Sequence, residues 1–136
     1  MRDGGDGQAL PRAARITASD ELRALLGRGK RRKTRHLDVF VSGSPVAHSR
    51  LGVVVAKPRQ KPPAKGKRIP AAAVRRNRLK RRLREVGRTG LLPTLNQAGC
   101  FADVLIRARQ EAYDATFAAL RAEVEGLAEW ICSSER

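Results

Sequence analysis

"AVRRNRLKRRLRE", residues Ala73 to Glu85, places seven arginines and lysines in thirteen positions, with one asparagine among them and a single acid at the end. Drawn as a helix at about 100° per residue, Ala72, Leu79, Leu83 and Val86 fall in a narrow apolar stripe that can dock on a sheet. Asn77, Lys80, Arg81 and Arg84 occupy the opposite arc; Arg78 lies to one side, and Arg75 and Arg82 border the stripe. Like charges at i,i+3 and i,i+4 spacing oppose an isolated helix, and asparagine is a poor interior helix residue. A solubilising face mixes acids with bases, and this one does not. It reads as a surface shaped for a polyanion: arginine's planar fork suits phosphate oxygens, and Asn77 can both donate and accept at a base edge or a 2′-hydroxyl.

Working outward, the basic helix separates segments that alternate as strands. "LDVFV" sets Leu37, Val39 and Val41 against Asp38 and Phe40 in the period of a half-buried strand. "SGSPVAHS" reads as a turn, and "RLGVVVA" as a strand buried on both faces, so a hairpin of these two is expected. "FADVLIRA" makes a third strand beyond the basic helix. Ahead of them, "SDELRALLGRG" starts at Ser19 as N-cap, gathers Leu22, Leu25 and Leu26 on one helix face and stops at Gly27 and Gly29. "RGKRRKTRH" follows as a basic loop. "GRTGLLPTLNQAG" breaks the helical pattern, and from Tyr113 the residues Phe117, Leu120, Val124, Leu127 and Ile131 recur at fours and threes as one closing helix. The order helix, strand, strand, helix, strand, helix is that of an α+β protein with a small mixed sheet covered by helices. Residues 1–14 are glycine-rich without apolar periodicity and read as a disordered tail. Residues 15–136 read as one RNA-binding domain carrying a mobile Pro- and Lys-rich loop at 57–70.

Composition narrows the function. The 136 residues are 41% hydrophobic and 4% aromatic, enough for one small aliphatic core, and 29 basic against 13 acidic residues leave a formal charge of +16. Such a chain repels itself unless a polyanion shares its surface, which favours nucleic acid. The basic stretches lack the apolar face that anchors a helix on a membrane, and the N-terminus lacks a signal peptide's pattern, so a cytoplasmic protein without a membrane partner is expected. Cys100 and Cys132 have no CxxC spacing and no nearby histidine; two reduced, partly buried thiols are expected. A nuclease working alone needs acids to hold metal ions or a poised histidine. Asp38 and Asp103 lie in different strands with no motif around them, and His36 and His48 read as solvated.

The stretch "AVRRNRLKRRLRE" resembles the signature of the bacterial ribonuclease P protein subunit, through Arg76, Asn77 and Arg78 followed by Lys80, Arg81, Leu83, Arg84 and Glu85. "RLGVVVAK" before it, the basic "GRGKRRKTRH" and "DVLIRAR" with a terminal helix extend the resemblance over residues 15–131. It implies an α-β-β-β-α-β-α sandwich with a left-handed crossover, like the second domain of a small-subunit ribosomal protein, with one strand more than the residues alone suggest. It implies that Arg75, Arg76, Asn77, Arg78, Lys80, Arg81 and Arg84 meet a catalytic RNA. A cleft between the first helix and the sheet would hold the 5′ leader of precursor tRNA, at Leu22, Leu26, Lys33, Arg35, Phe40 and Lys57. The implied reaction is Mg²⁺-dependent hydrolysis by that RNA, with Mg²⁺ held mainly by the RNA and a monomeric protein, one per RNA. Whether the protein itself binds a metal stays open. Leu22 and Leu26 stand where the family carries two aromatics, and either line the cleft or belong to the core. Phe40 has the same two readings. The family passes from the lysine matching Lys57 to its motif in fewer residues, so "PRQKPPAKGKRIP" resembles an insertion of roughly ten residues. The runner-up reading is a pure RNA-binding module such as a small ribosomal protein; a helix-turn-helix lacks the short-linked partner helix it needs.

Overall fold

The computed structural model describes residues 10–59 and 71–134. Strands β1 (Lys30–Lys33), β2 (Leu37–Gly43), β3 (Arg50–Val55) and β4 (Ala102–Ala108) form one sheet in the order β1-β2-β4-β3. β1 and β4 both run antiparallel to β2, whereas β3 runs parallel to β4. Five helices accompany it among the described residues: α1 (Ser19–Arg28), α2 (Ala72–Val86), α3 (Leu92–Gln97), α4 (Phe117–Glu125) and α5 (Leu127–Ser134).

The sheet order corrects two expectations. β2 and β3 do not pair as a hairpin, because β4 inserts between them; the true hairpin is β1–β2. β1 is the missing strand, and it lies in the stretch read as a basic loop. Its four residues are all exposed, so no alternation of apolar residues marks it. β2 is buried on both faces because it is central, and Asp38 is buried with it. β3, expected to be buried on both faces, is an edge strand whose Val53 and Val54 stay half-buried.

One face carries the main core. Leu37, Val39, Val41, Leu51, Val55, Val104 and Ile106 meet Leu79, Leu83 and Val86 of α2 and Leu120, Val124, Leu127 and Ile131 of α4 and α5. Leu83 and Val86 are fully buried, whereas Ala72, assigned to the same stripe, is exposed; the stripe begins two turns later than expected. The other face carries a smaller cluster of Ile16, Leu25, Phe40 and Leu105, with Leu22 and Val54 packed against it. Gly52 permits this close approach, since a Cβ there would lie 3.0 Å from Leu22 Cδ2 and 3.2 Å from the Ile16 carbonyl oxygen.

"GRTGLLPTLNQAG" does not break the helix. α2 runs on through a π-helical turn at Gly87–Leu91 into α3, with Pro93 in the first turn of α3, where proline's fixed φ is compatible with helix. Burial of Leu91, Leu92 and Leu95 outweighs the poor helix propensity of two glycines. The chain leaves α3 through Gly99, whose φ of 73° suits glycine. The closing helix is divided instead. Tyr113 lies in a 3₁₀ turn, Thr116 caps α4 by accepting the Ala119 N–H at 3.0 Å, and Gly126 separates α4 from α5. Ser19 is the first residue of α1, and its side chain makes no capping bond.

Three further expectations change. Cys100 and Cys132 form a disulfide, with Cα atoms 5.5 Å apart, joining residues 32 positions apart that only the packing of α5 beside α3 brings together. His36 is buried, not solvated: its backbone N–H donates to Glu123 Oε1 at 3.1 Å and its ring Nδ1 lies against Glu123 Oε2. Residues 10–14, expected to belong to a disordered tail, are ordered chain: Leu10 is in the core and Arg12–Ala14 form a 3₁₀ turn. Residues 1–9, and 60–70 of the expected 57–70 loop, lie outside the described residues.

Candidate nucleic-acid interface

α2 presents its cations in three rows, because Leu79, Leu83 and Val86 fix the face turned to the sheet. Asn77, Arg78, Arg81 and Arg82 are exposed, and Arg75, Arg76, Lys80 and Arg84 are half-buried on the flanks. Arg75 lies over Tyr113, its Cζ 5.2 Å from the ring centroid, and a notch of about 90 Å³ opens there between Arg75, Arg78, Arg82 and the ring. Burial pushes Arg84 below the usual arginine range and neighbouring Arg15 adds to it. The Arg76 Nε is buried without a hydrogen-bond partner. Among the described residues no carboxylate lies within ion-pair distance of any of these seven cations, and Glu85 is taken by Arg88 at 2.7 Å. Lys80 and Arg84, assigned to the exposed arc, are thus flanking residues, and Arg82, assigned to the border of the stripe, is exposed.

A second cationic surface lies on the sheet face that bears α1. Register puts Arg31 opposite Phe40, Lys33 and Arg107 opposite Asp38, and Arg50 opposite Asp103. Directly paired residues share a face. α1 covers the end near Gly52 and Leu105. Beyond it a shallow groove of about 390 Å³ is lined by Asp38, Val54, Arg59, Arg107, Arg109 and Glu111 among others.

Of the six residues expected in the cleft, Phe40 is buried at the base of this face and Lys33 is exposed along it. Arg35 is exposed in the β1–β2 turn, its carbonyl accepting from Arg109 Nη1 at 3.0 Å. Lys57 is exposed past β3, where its carbonyl accepts from Gln110 Nε2 at 3.1 Å. The two leucines part company. Leu22 packs in the small cluster against Phe40, whereas Leu26 is 41% exposed.

The sequence reading missed Arg31, Asp38 and Arg107 as one unit. Asp38 accepts from Arg31 Nη2 and from Arg107 Nη2, each at 3.2 Å. Burial pushes its carboxyl up, but the hydrogen bonds from Arg107 and Arg31 outweigh that and hold it below the usual carboxylate range. Asp103 is held differently, by Arg50, which also reaches Glu21 at 2.7 Å. The signal in sequence was slight: Asp38 stands two residues before Phe40, and only the pairing of β2 with β4 sets it opposite Arg107.

Among the described residues no three histidine, cysteine, aspartate or glutamate side chains converge on a point where a metal ion could sit. The two strand carboxylates are each occupied by arginine, so these residues do not make a Mg²⁺ cage. No helix among them is long and apolar enough to cross a membrane.

The family model for ribonuclease P matches residues 10–131. A ribonuclease P protein component from Ralstonia pickettii is 35% identical over 80 residues, 59% of this chain and 50% of the relative; the chain thus spans about half the length of that curated relative. Among solved structures, the ribonuclease P protein of Staphylococcus aureus superposes with a TM-score of 0.62 at 24% identity, covering 88% of this chain and 95% of the other. That of Thermotoga maritima superposes with a TM-score of 0.59 at 21% identity, covering 85% and 96%. At these identities the structures speak for the fold, a four-stranded mixed sheet with helices. The match from residue 10 to residue 131 takes in the whole sheet, the Arg-Asn-Arg helix and the helices behind it: this chain belongs to the ribonuclease P protein family.

Proposed function

We propose that this chain is the protein subunit of a ribonuclease P holoenzyme, monomeric and one per RNA, in which α2 docks on the catalytic RNA and the cleft between α1 and the sheet receives the 5′ leader of precursor tRNA. The supporting observation is the state of α2: seven cations on one helix with no carboxylate in reach among the described residues. A helix charged in this way gains stability when phosphates occupy its face. In this reading the hydrolysis, which frees the leader and leaves a 5′-phosphate on mature tRNA, belongs to the RNA and its Mg²⁺ ions. The protein's own residues bind and orient.

The test adds the full chain to a catalytic RNA subunit and precursor tRNA at low Mg²⁺ and follows leader release. Stimulated cleavage with RNA present, and intact precursor with protein alone, is the expected result. Absence of stimulation, or cleavage by protein freed of RNA, overturns the proposal.

A further inference from the structure

Where the sheet emerges from under α1, Phe40, Arg31, Arg107 and Asp38 make one unit. Phe40 is 4% exposed, and above its ring stand the guanidinium groups of Arg31 and Arg107, 5.6 and 5.3 Å from the centroid. A ring covered in this way has no free face for a nucleobase. The arginines do: their side chains are 52% and 41% exposed, while the Asp38 carboxylate that binds both is 9% exposed.

The neighbouring ion cluster on the same face sharpens the point. At Arg50, one cation is shared by two carboxylates and is 13% exposed, a closed arrangement with nothing left to offer. At Asp38, one buried carboxylate holds two cations that face solvent. The first arrangement neutralises; the second orients two planar cations beside the groove that runs on to Arg59 and Arg109. Guanidinium planes stack on unpaired bases as aromatic rings do, and bases splayed from a single strand are what such planes accept.

The geometry points to Arg31 and Arg107, backed by Phe40 and oriented by Asp38, as the surface on which bases of a single-stranded RNA segment stack in the cleft. Asp38 is a positioning residue in this scheme, and its carboxylate keeps the pair from spreading into solvent toward phosphates. The identity of that segment as a tRNA leader rests on the function proposed above; the stacking itself does not.

The two are separated by separate measurements. Binding of the full chain to a labelled oligouridine and to an abasic oligonucleotide of equal length and charge reads stacking alone. The chain should prefer the base-bearing strand by about tenfold, the scale of one stacked base. Arg107→Lys keeps the charge and loses the plane, and Asp38→Asn keeps the shape and loses the tether; both should bring the preference toward one. Arg107 is a half-exposed position, so its variant tests the idea even if Asp38→Asn is poorly folded. An unchanged preference in Arg107→Lys, or no preference in the parent chain, overturns the stacking surface. In the holoenzyme, equal affinity for precursor and mature tRNA overturns the leader assignment while leaving the oligonucleotide result to stand for the surface.

Discussion

The two cationic surfaces of this chain are built on opposite terms. On α2, seven cations share a helix without a described carboxylate in reach, and one guanidinium nitrogen is buried without a partner. On the sheet, Arg31, Arg107 and Arg50 are each held by a carboxylate at 2.6–3.2 Å. Local repulsion on the first surface has no described carboxylate to relieve it, so its charge costs the helix stability until an anion sits beside it. The second surface is organised before any partner arrives. An anion should therefore add more to α2 than to the sheet, and shape should matter more on the sheet than on α2.

The largest expected effect tests the first half of that contrast. Affinity for RNA should fall roughly a thousandfold between about 50 and about 200 mM salt, the loss expected for about six phosphate contacts. A salt-independent affinity measured by filter binding or anisotropy would dissolve the contrast at once.

Next in size is a stability difference within α2. Leu83→Ala should cost about 2–5 kcal/mol in denaturant unfolding, because Leu83 is fully buried between the helix and the sheet. Arg81→Ala should stay within about 0.5 kcal/mol and weaken RNA binding instead. Equal losses in both would mean that the exposed cations hold the fold.

The two leucines of α1 separate in the same way on the sheet side. Leu22→Phe should lose about 1–3 kcal/mol of stability, since Leu22 already lies against Gly52 and Phe40. Leu26→Phe, at an exposed position, should leave the melting temperature in place and tighten only RNA that has a single-stranded leader. Matching melting shifts in the two variants would place both side chains in the core.

The smallest expected effect is an acid dependence, in which the preorganised surface takes part through Asp38. Burial raises the carboxyls of Asp38 and Glu123, but donors from Arg107 and Arg31, and from His36 and Thr34, outweigh it, so both titrate below their ordinary values in the folded chain. A depressed folded value contributes stability at neutral pH and loses it as protons bind, so stability should decline below about pH 4. Asp38→Asn should flatten that decline in urea midpoints taken across the acid range. An unchanged slope would remove Asp38 from the account.

The basic helix was legible because a run of cations with one apolar stripe has few other readings, and Leu79, Leu83 and Val86 are buried as the wheel requires. The third strand was legible because the apolar residues Ala102, Val104, Leu105 and Ile106, broken only by Asp103, fit a central position. β1 was not legible: Lys30–Lys33 become a strand only through pairing with β2, and pairing leaves no mark in composition. The helix beyond Gly87 was hidden because glycine and proline signal local cost, whereas three buried leucines supply a tertiary gain. The disulfide and the Asp38 unit depend on residues that meet only after folding. At the candidate site, the cationic face of α2 could therefore be read directly, whereas the cleft came only as a resemblance that left out Arg31 and Arg107.

Gly52 carries a consequence for dimensions. With no side chain, it lets α1 settle on the sheet until Leu22 and the Ile16 backbone close over β3. A single methyl group there would force the helix or its leucine back by a few tenths of an ångström and move Leu26 with it. In the cleft proposed for RNA, the aperture between α1 and the sheet is thus gauged by one missing carbon, and Gly52→Ala is expected to retune which strands fit without touching them.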